Sequence, residues 1–505
     1  MKRLYRILIV IALVGSAFAM RAQSDGLVFS LLPQMPYNNY LNPGIRVPYN
    51  GIVGFGISNI NCNVYNSSVR YTNIYKTING EDVIDAAKFV NSLDDQGNFI
   101  NMDFSMDIVN AGFRVKKWFF NIDWRMRMNT EFDYSRDFVG LFVFGNGHYL
   151  GADNPCDFNI GVDATMFSEI AVGAQYDVND KLTVGIRPKL LGGIANVTVN
   201  NKDTKIYTDE DSYSISADVN IDIKAASVLE SNIKRMKDIT NIFKDDSING
   251  GRMLDISENV GFGVDFGASY KINDKWSVAA GVYDLGYIKW TETKQKQKVS
   301  NGVVVNDAVF GSLDELTDME LDYSSMMDKV IDAVWGDDSL KKGPDYKTSL
   351  RTRIVLQGFY EMNPMVRFSA IGQLYKMKDG MKPAITLAYS GVYWDHLNFS
   401  LSYTLSKATG SAIGLGLGLH AGPFNIYAVA DNILSMAKVA SPVVDFATSY
   451  QTSGMRFGVV WTIGKYQNSD KDVKKADKKK KIDTDEIDKE VEEFKEKNSE
   501  ELEEE

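Results

Sequence analysis

Two cysteines, three histidines and eleven prolines in 505 residues leave little material for several common chemistries. Cys62 and Cys156 could bond in an oxidising compartment, but a single pair builds no disulfide scaffold. His148, His396 and His420 are scattered, and no His-x-x-x-His or Cys-x-x-Cys spacing exists, so no metal site is expected. The Gly-x-Ser-x-Gly elbow of a serine hydrolase is missing. Gly416-Leu-Gly418-Leu-His-Ala421 formally matches Gly-x-Gly-x-x-Ala, yet it sits inside an alternating strand with no helix after it, so a dinucleotide site fails on context. We therefore expect no cofactor and no enzyme; His420 would be the best candidate base, although an ordinary lumen histidine is the simpler account. The net charge of -11 supplies no basic surface for nucleic acid. Beyond the N-terminus no apolar run reaches about 18 residues, which excludes membrane helices. It does not exclude a β-barrel, whose strands need apolar residues only at alternate positions.

What is present begins with an export signal. Lys2, Arg3 and Arg6 precede an apolar run from Ile7 to Ala19, and small residues place cleavage after Ala19 or Ala22. Residues 1–22 thus read as a signal peptide, and no cysteine near the cut suggests a lipoprotein.

The body alternates. Ile413, Leu415, Leu417 and Leu419 take one parity while Gly414, Gly416, Gly418 and His420 take the other. The same split runs through 260–272, 397–405 and 455–463, which puts aliphatics on one face of each strand and small or polar residues on the opposite face. Tight polar turns fall at Lys116-Lys117, Asn179-Asp180, Asn273-Asp274, Asn363-Pro364, Trp394-Asp395 and Gly422-Pro423. The links between these hairpins are longer, notably around 200–257 and 292–347. Six hairpins with one strand near 51–60 and another near 453–464 total fourteen. An average of about 100–200 residues per domain would suggest three domains. The pattern instead predicts one all-β fold, a 14-stranded antiparallel transmembrane β-barrel over 51–464. Short helices are expected in the extracellular loops at 80–93, 225–243 and 322–335, and the resemblance described below implies that residues 23–50 form an N-terminal plug. Even strand number, short turns at one end and long loops at the other describe a Gram-negative outer-membrane barrel with periplasmic termini. Outer-membrane lipid is then its first partner. The stretch 465–505 changes abruptly, with eleven lysines and sixteen acids, and reads as a solvated periplasmic tail that could also dock a periplasmic partner.

Charge on the lipid face costs about 2–4 kcal/mol for Arg or Lys at midplane, so charged strand residues should point inward. The candidate lumen-facing set is Asp123, Arg125, Arg127, Glu169, Arg187, Lys189, Asp265, Arg351, Arg353, Arg367, His420 and Arg456. Arg–acid ladders would rigidify the barrel; unpaired arginines would attract an anionic solute or a fatty carboxylate.

Tyr40-Leu-Asn-Pro-Gly44, just ahead of the first strand, resembles the Asn-Pro-Ala element of the long-chain fatty acid transporter (FadL) superfamily. The secretion-associated PorV-like proteins of Bacteroidetes are similar in plan. Gly145-Asn146 with Gly151, the run Lys181-Leu-Thr-Val-Gly-Ile-Arg-Pro-Lys-Leu-Leu-Gly-Gly193 and Ala428-Val-Ala-Asp-Asn-Ile433 look like an uncharacterised Bacteroidetes family of outer-membrane barrels, over roughly 27–464. The resemblance implies fourteen strands and a hatch inside the barrel, to which Asn42, Pro43 and Gly44 would belong. Gly44 departs from the family's alanine, and the fatty-acid contacts have no counterparts, so substrate class does not transfer. Two functions follow as expectations. One is diffusion or transport of a small hydrophobic or amphipathic solute; the alternative is a structural or assembly barrel whose tail and loops dock partners.

Overall fold

In the computed structural model the described residues are 31–36, 40, 42–68, 74–78, 81–201, 203–212, 214–228, 258–291, 293–305, 340–363, 365–377, 380–394, 396–406, 410–433 and 452–465. The expected signal peptide, residues 23–30, 37–39 and 41 of the expected hatch, the helix expected at 322–335, most of the one expected at 225–243 (its start, Ala225–Ser227, is strand instead) and the expected charged tail past Lys465 lie outside them.

Alternation becomes one closed sheet. Its fourteen barrel strands are β1 (Tyr49–Phe55, resumed as Ile60–Asn66), β2 (Asn98–Val115), β3 (Trp118–Tyr134), β4 (Ile160–Asp177), β5 (Leu182–Asn201), β6 (Val260–Lys271), β7 (Trp276–Trp290), β8 (Arg353–Asn363, extended by Tyr346–Ser349), β9 (Val366–Met377), β10 (Gly380–Tyr393), β11 (Leu397–Ser406), β12 (Gly410–Ala421), β13 (Phe424–Ala430) and β14 (Thr452–Lys465). Each pairs antiparallel with its neighbours, and β1 closes the ring by pairing with both β2 (Gly51↔Phe113) and β14 (Gly51↔Ile463). Closure satisfies backbone groups that an open edge would leave unpaired in lipid.

The six expected turns join the hairpins they were assigned to, and their chemistry is local. Asn179 Oδ1 accepts the N–H groups of Lys181 (2.9 Å) and Leu182 (2.8 Å), and Asn273 Oδ1 does the same for Lys275 and Trp276, both at 2.9 Å. These side chains close the turn in place of backbone. Gly422 takes φ +61°, which a residue without a Cβ adopts at no steric cost.

Outside, the apolar parity forms a continuous belt in which Leu356, Ile385, Leu387 and Ile463 are each more than half exposed. Only a hydrocarbon surround leaves such a belt without penalty, so the barrel spans a bilayer. At the turn end, ring pairs Trp118–Phe120 (5.6 Å), Trp276–Tyr360 (4.7 Å) and Phe424–Trp461 (5.7 Å) make the aromatic girdle expected at an interface. Among the described residues no helix is long and apolar enough to cross a membrane.

At the loop end β2 to β5 run 17 to 20 residues, well past the roughly 9–11 that a bilayer needs. The links expected to be loops carry strands there: Lys205–Thr208, Ile215–Ser227, Lys294–Val305 and Lys341–Lys342. The end of β5 pairs with Ile215–Ser227 instead of β6, and a satellite core of Leu141, Cys156, Phe158, Val199, Ile206 and Ile221 fills beneath. The helix expected over 80–93 is present but shorter, α1 (Ala86–Asn91), and its first residues, Glu81–Ile84, instead pair with Tyr75–Ile78 as a hairpin. Asn79-Gly80 in the sequence is a hairpin signal that outweighs the weak helical period. Helix α2 (Arg136–Phe144) starts at Ser135, whose Oγ accepts the Phe138 N–H at 3.2 Å. No disulfide joins Cys62 and Cys156. Cys156 is buried at the loop end, and that burial, with Asp137 next in importance, holds its thiol pKa well above the ordinary value.

Candidate functional site

Inward-facing strand positions meet across the lumen in one ion network. Five carboxylates (Asp107, Asp123, Glu169, Asp265, Asp284) face five cations (Arg125, Arg127, Arg187, Lys189, Arg353). Arg187 is its centre, 1% exposed, with Nη2 2.9 Å from Asp123 and 3.3 Å from Glu169 and Nη1 3.1 Å from Asp265. Lys189 Nζ lies 2.6 Å from Asp284 and 2.8 Å from Asp265, and Arg127 reaches Glu169 and Asp284 at 2.9 Å each. Leaving water costs several kcal/mol per buried ion, so each member depends on its counter-charges. Among the described residues the signs of this network balance.

Eight of the residues expected to line the lumen thus stand in the network: Asp123, Arg125, Arg127, Glu169, Arg187, Lys189, Asp265 and Arg353. The other four are placed apart from it. Arg351 bridges Asn101 and Asp103 (2.8 Å each) nearer the loops, and Arg367 pairs with Glu361 at 2.6 Å near the turns. Arg456 Nε meets Asn61 Oδ1 at 3.3 Å, and His420 Nδ1 lies 3.0 Å from Asn425 Oδ1 at the turn-end rim.

Asp107 and Asp284 escaped the sequence reading for a common reason. Each sits at a β-bulge, where two residues oppose one and the inward parity switches. Asp284 takes φ +54° and its N–H bonds Asp265 Oδ1 at 2.8 Å. Below it Ala279, Gly281 and Tyr283 face inward; above it Ile288 and Trp290 do. A parity change in the apolar residues, from Val278 and Val282 to Leu285 and Tyr287, was the available signal.

The N-terminal segment fills what the network leaves. The Tyr40 hydroxyl lies 2.8 Å from carboxylate oxygens of both Asp107 and Asp123, and its ring is covered by the guanidiniums of Arg125 (4.1 Å) and Arg187 (4.9 Å). Asn42-Pro43-Gly44 is a turn: the Ile45 N–H bonds the Asn42 carbonyl and the Gly44 N–H bonds Asn42 Oδ1, both at 2.8 Å. It presses on the wall, Asn42 Nδ2 donating to the Ala280 carbonyl at 3.1 Å and Gln175 Nε2 to the Pro43 and Ile45 carbonyls at 2.7 Å. A Cβ on Gly44 would overlap the Ala268 backbone, which is why glycine replaces the alanine of the resembled motif. Arg46 pairs with Asp177 at 2.8 Å.

On the opposite side, Leu31, Leu32 and Met35 are fully buried against the wall with Val355, Ile371 and Ala388. That wall also carries Gln357, Ser369, Gln373, Ser390, Ser400 and Ser402, whose side chains hold buried polar atoms without a hydrogen-bond partner. Each orphaned group costs about 1–3 kcal/mol.

The wall itself has a weak place. The β4–β5 ladder keeps its register from Ala171↔Lys189 to Ala174↔Ile186, but pairing lapses between, where Pro188 has no N–H to give. Beside this gap a cavity of about 10 Å³, enough for one water, is lined by Pro43, Gly173, Gln175 and Arg187 among others.

A family model described as a family of unknown function (DUF5723) matches residues 43–431. No curated protein matches the chain. A Pseudomonas aeruginosa FadL homologue is 9% identical, with 88% of this chain and 98% of that one covered at a TM-score of 0.42. The Ralstonia pickettii toluene transporter TbuX is 9% identical, with 86% and 94% covered at 0.41. The translocator domain of the Neisseria meningitidis autotransporter NalP is 7% identical, with 83% and 90% covered at 0.31.

Proposed function

The chain belongs to the DUF5723 family, and we propose that its barrel is an outer-membrane diffusion channel for a small hydrophobic or amphipathic solute, closed at rest by its own N-terminal segment. The short turns and both termini face the periplasm in this reading, and the loop-end sheet faces outward. One observation supports it: residues 31–36, Tyr40 and residues 42–47 lie inside the lumen on non-covalent contacts, and the Asn42-Pro43-Gly44 turn rests where the β4–β5 ladder lapses at Pro188. A segment held this way can leave, and a proline-interrupted seam is where a solute would pass sideways into lipid. Planar-bilayer recordings test it. Deleting residues 25–47 raises conductance; a barrel that stays closed without them refutes a removable plug.

The balanced ion network and the loop-end sheet favour a second reading, a rigid barrel that anchors a complex through its loops and the tail at 465–505. Pull-downs with and without 466–505 separate it, since an identical partner set removes the tail from any docking role.

A further inference from the structure

Strands β8–β11 face the lumen with a connected patch of uncharged hydrogen-bonding groups. Register pairs Ser390↔Ser400 and Thr386↔Thr404, with Ser402 and Ser369 on either side of Ala388, carry it from Asn398 near the turns to Gln373 nearer the loops. The Thr386 and Thr404 hydroxyls bond each other at 2.8 Å. The hydroxyls of Ser369, Ser390, Ser400 and Ser402, Oε1 of Gln373 and both amide atoms of Gln357 bond nothing, although these residues are at most 5% exposed.

The present occupant meets this wall with one polar contact, the Gln34 N–H on Asn398 Oδ1 at 3.3 Å, and otherwise with aliphatic side chains. Leu32 lies over Gly416, which faces Ser400 across the ladder, and Met35 lies over Gly418, which faces Asn398. Tyr40 and residues 42–47, by contrast, meet the other half of the lumen with an ion pair, a phenol on two carboxylates and several amide bonds. One part of the plug is chemically complementary to its seat and the other, 31–36, covers polar groups with aliphatic side chains. Displacing 31–36 takes Leu32 and Met35 off Gly416 and Gly418, while Tyr40 and residues 42–47 keep their own contacts.

We propose that this patch is a binding track for an uncharged solute bearing several hydroxyl groups, a small free polyol or sugar. The inference rests on the transport reading and adds to it a site and a ligand class. Serine hydroxyls and glutamine amides both donate and accept, as a polyol requires. A hydrocarbon would leave them as bare as Leu32 does. Among the described residues of the patch none is charged, and the nearby Glu361–Arg367 pair is closed on itself at 2.6 Å, so a charged solute finds no counter-ion there.

The test is liposome swelling with the full chain in iso-osmolar erythritol, arabinose or sodium glutamate. The variant Leu32→Ala/Met35→Ala loosens the cover and swells faster than wild type in the two polyols but not in glutamate. In that background Ser369→Ala/Ser390→Ala/Ser400→Ala/Ser402→Ala slows arabinose swelling roughly fivefold or more, while the melting temperature holds or rises because orphaned hydroxyls are gone. If the fourfold variant does not insert, Ser400→Ala/Ser402→Ala reads the same effect at smaller size. Unchanged arabinose flux, or a lower melting temperature, overturns the proposal and makes the serines structural. If the loosened chain or the barrel lacking 25–47 passes a hydrophobic reporter but no polyol, the track falls and the transport reading stands. If the barrel lacking 25–47 passes nothing, both fall.

Discussion

Replacing Arg187 by Met removes the cation that Asp123, Glu169 and Asp265 share, and leaves a buried network with one carboxylate in excess. Breaking a buried pair in this way costs about 3–5 kcal/mol, mostly the cost of the stranded charge. Adding Asp265→Asn to that variant restores neutrality, and the amide oxygen still accepts the Asp284 N–H that Oδ1 holds at 2.8 Å. The double variant should therefore be more stable than the single one, recovering about 1–3 kcal/mol. Guanidinium unfolding of the detergent-folded barrel, followed by tryptophan fluorescence, reads both. With a slope of about 5 kcal/mol/M the single change lowers the midpoint by roughly 0.6–1 M. The reasoning fails if Arg187→Met shifts the midpoint no more than Lys289→Met does, since Lys289 and Asp345 form a half-exposed surface pair. It fails equally if the double variant is weaker than the single.

Two further outcomes are expected. Gly44→Ala drives a methyl into the Ala268 backbone, so the plug turn is pushed off its seat at a cost of about 1–3 kcal/mol, and spontaneous channel openings become more frequent than in wild type. Unaltered gating would show that the turn has room to spare. Pro188→Ala returns an N–H to the β4–β5 ladder, adding about 0.5–1.5 kcal/mol and slowing solute release through the wall. Hydrogen exchange that leaves the new amide unprotected would show the seam to be open for another reason.

The strands were legible because both of their determinants are local. Period-two alternation fixed which residues face lipid, and Asn179, Asn273 and Gly422 marked turns by side-chain capping or by φ. The network was legible only in part. Arg187 and Lys189 follow their strand's parity and could be placed, whereas Asp107 and Asp284 sit where a bulge shifts that parity, a shift marked at Asp284 only by the switch of its apolar neighbours from even to odd positions. The strand Ile215–Ser227 was read as loop because one of its partners, Lys294–Val305, is distant in sequence. Ser400 and Ser402 could be assigned to the inner face, but that their hydroxyls bond nothing depends on Leu32 and Met35 arriving from the other end of the chain.

The bulge at Asp284 also bears on how this strand can change length. Dropping that residue leaves Leu285 and Tyr287 toward lipid and Ile288 and Trp290 inward, because the bulge already absorbs the extra step. Keeping it but forcing an extended φ turns all four over. A transmembrane strand that otherwise tolerates changes only in twos thus has one position where a single codon can be lost. The same loss deletes an anion from a balanced set, so a shortened relative should also lack one of Arg127, Lys189 or Arg353. Strand phase and lumen charge are inherited together here.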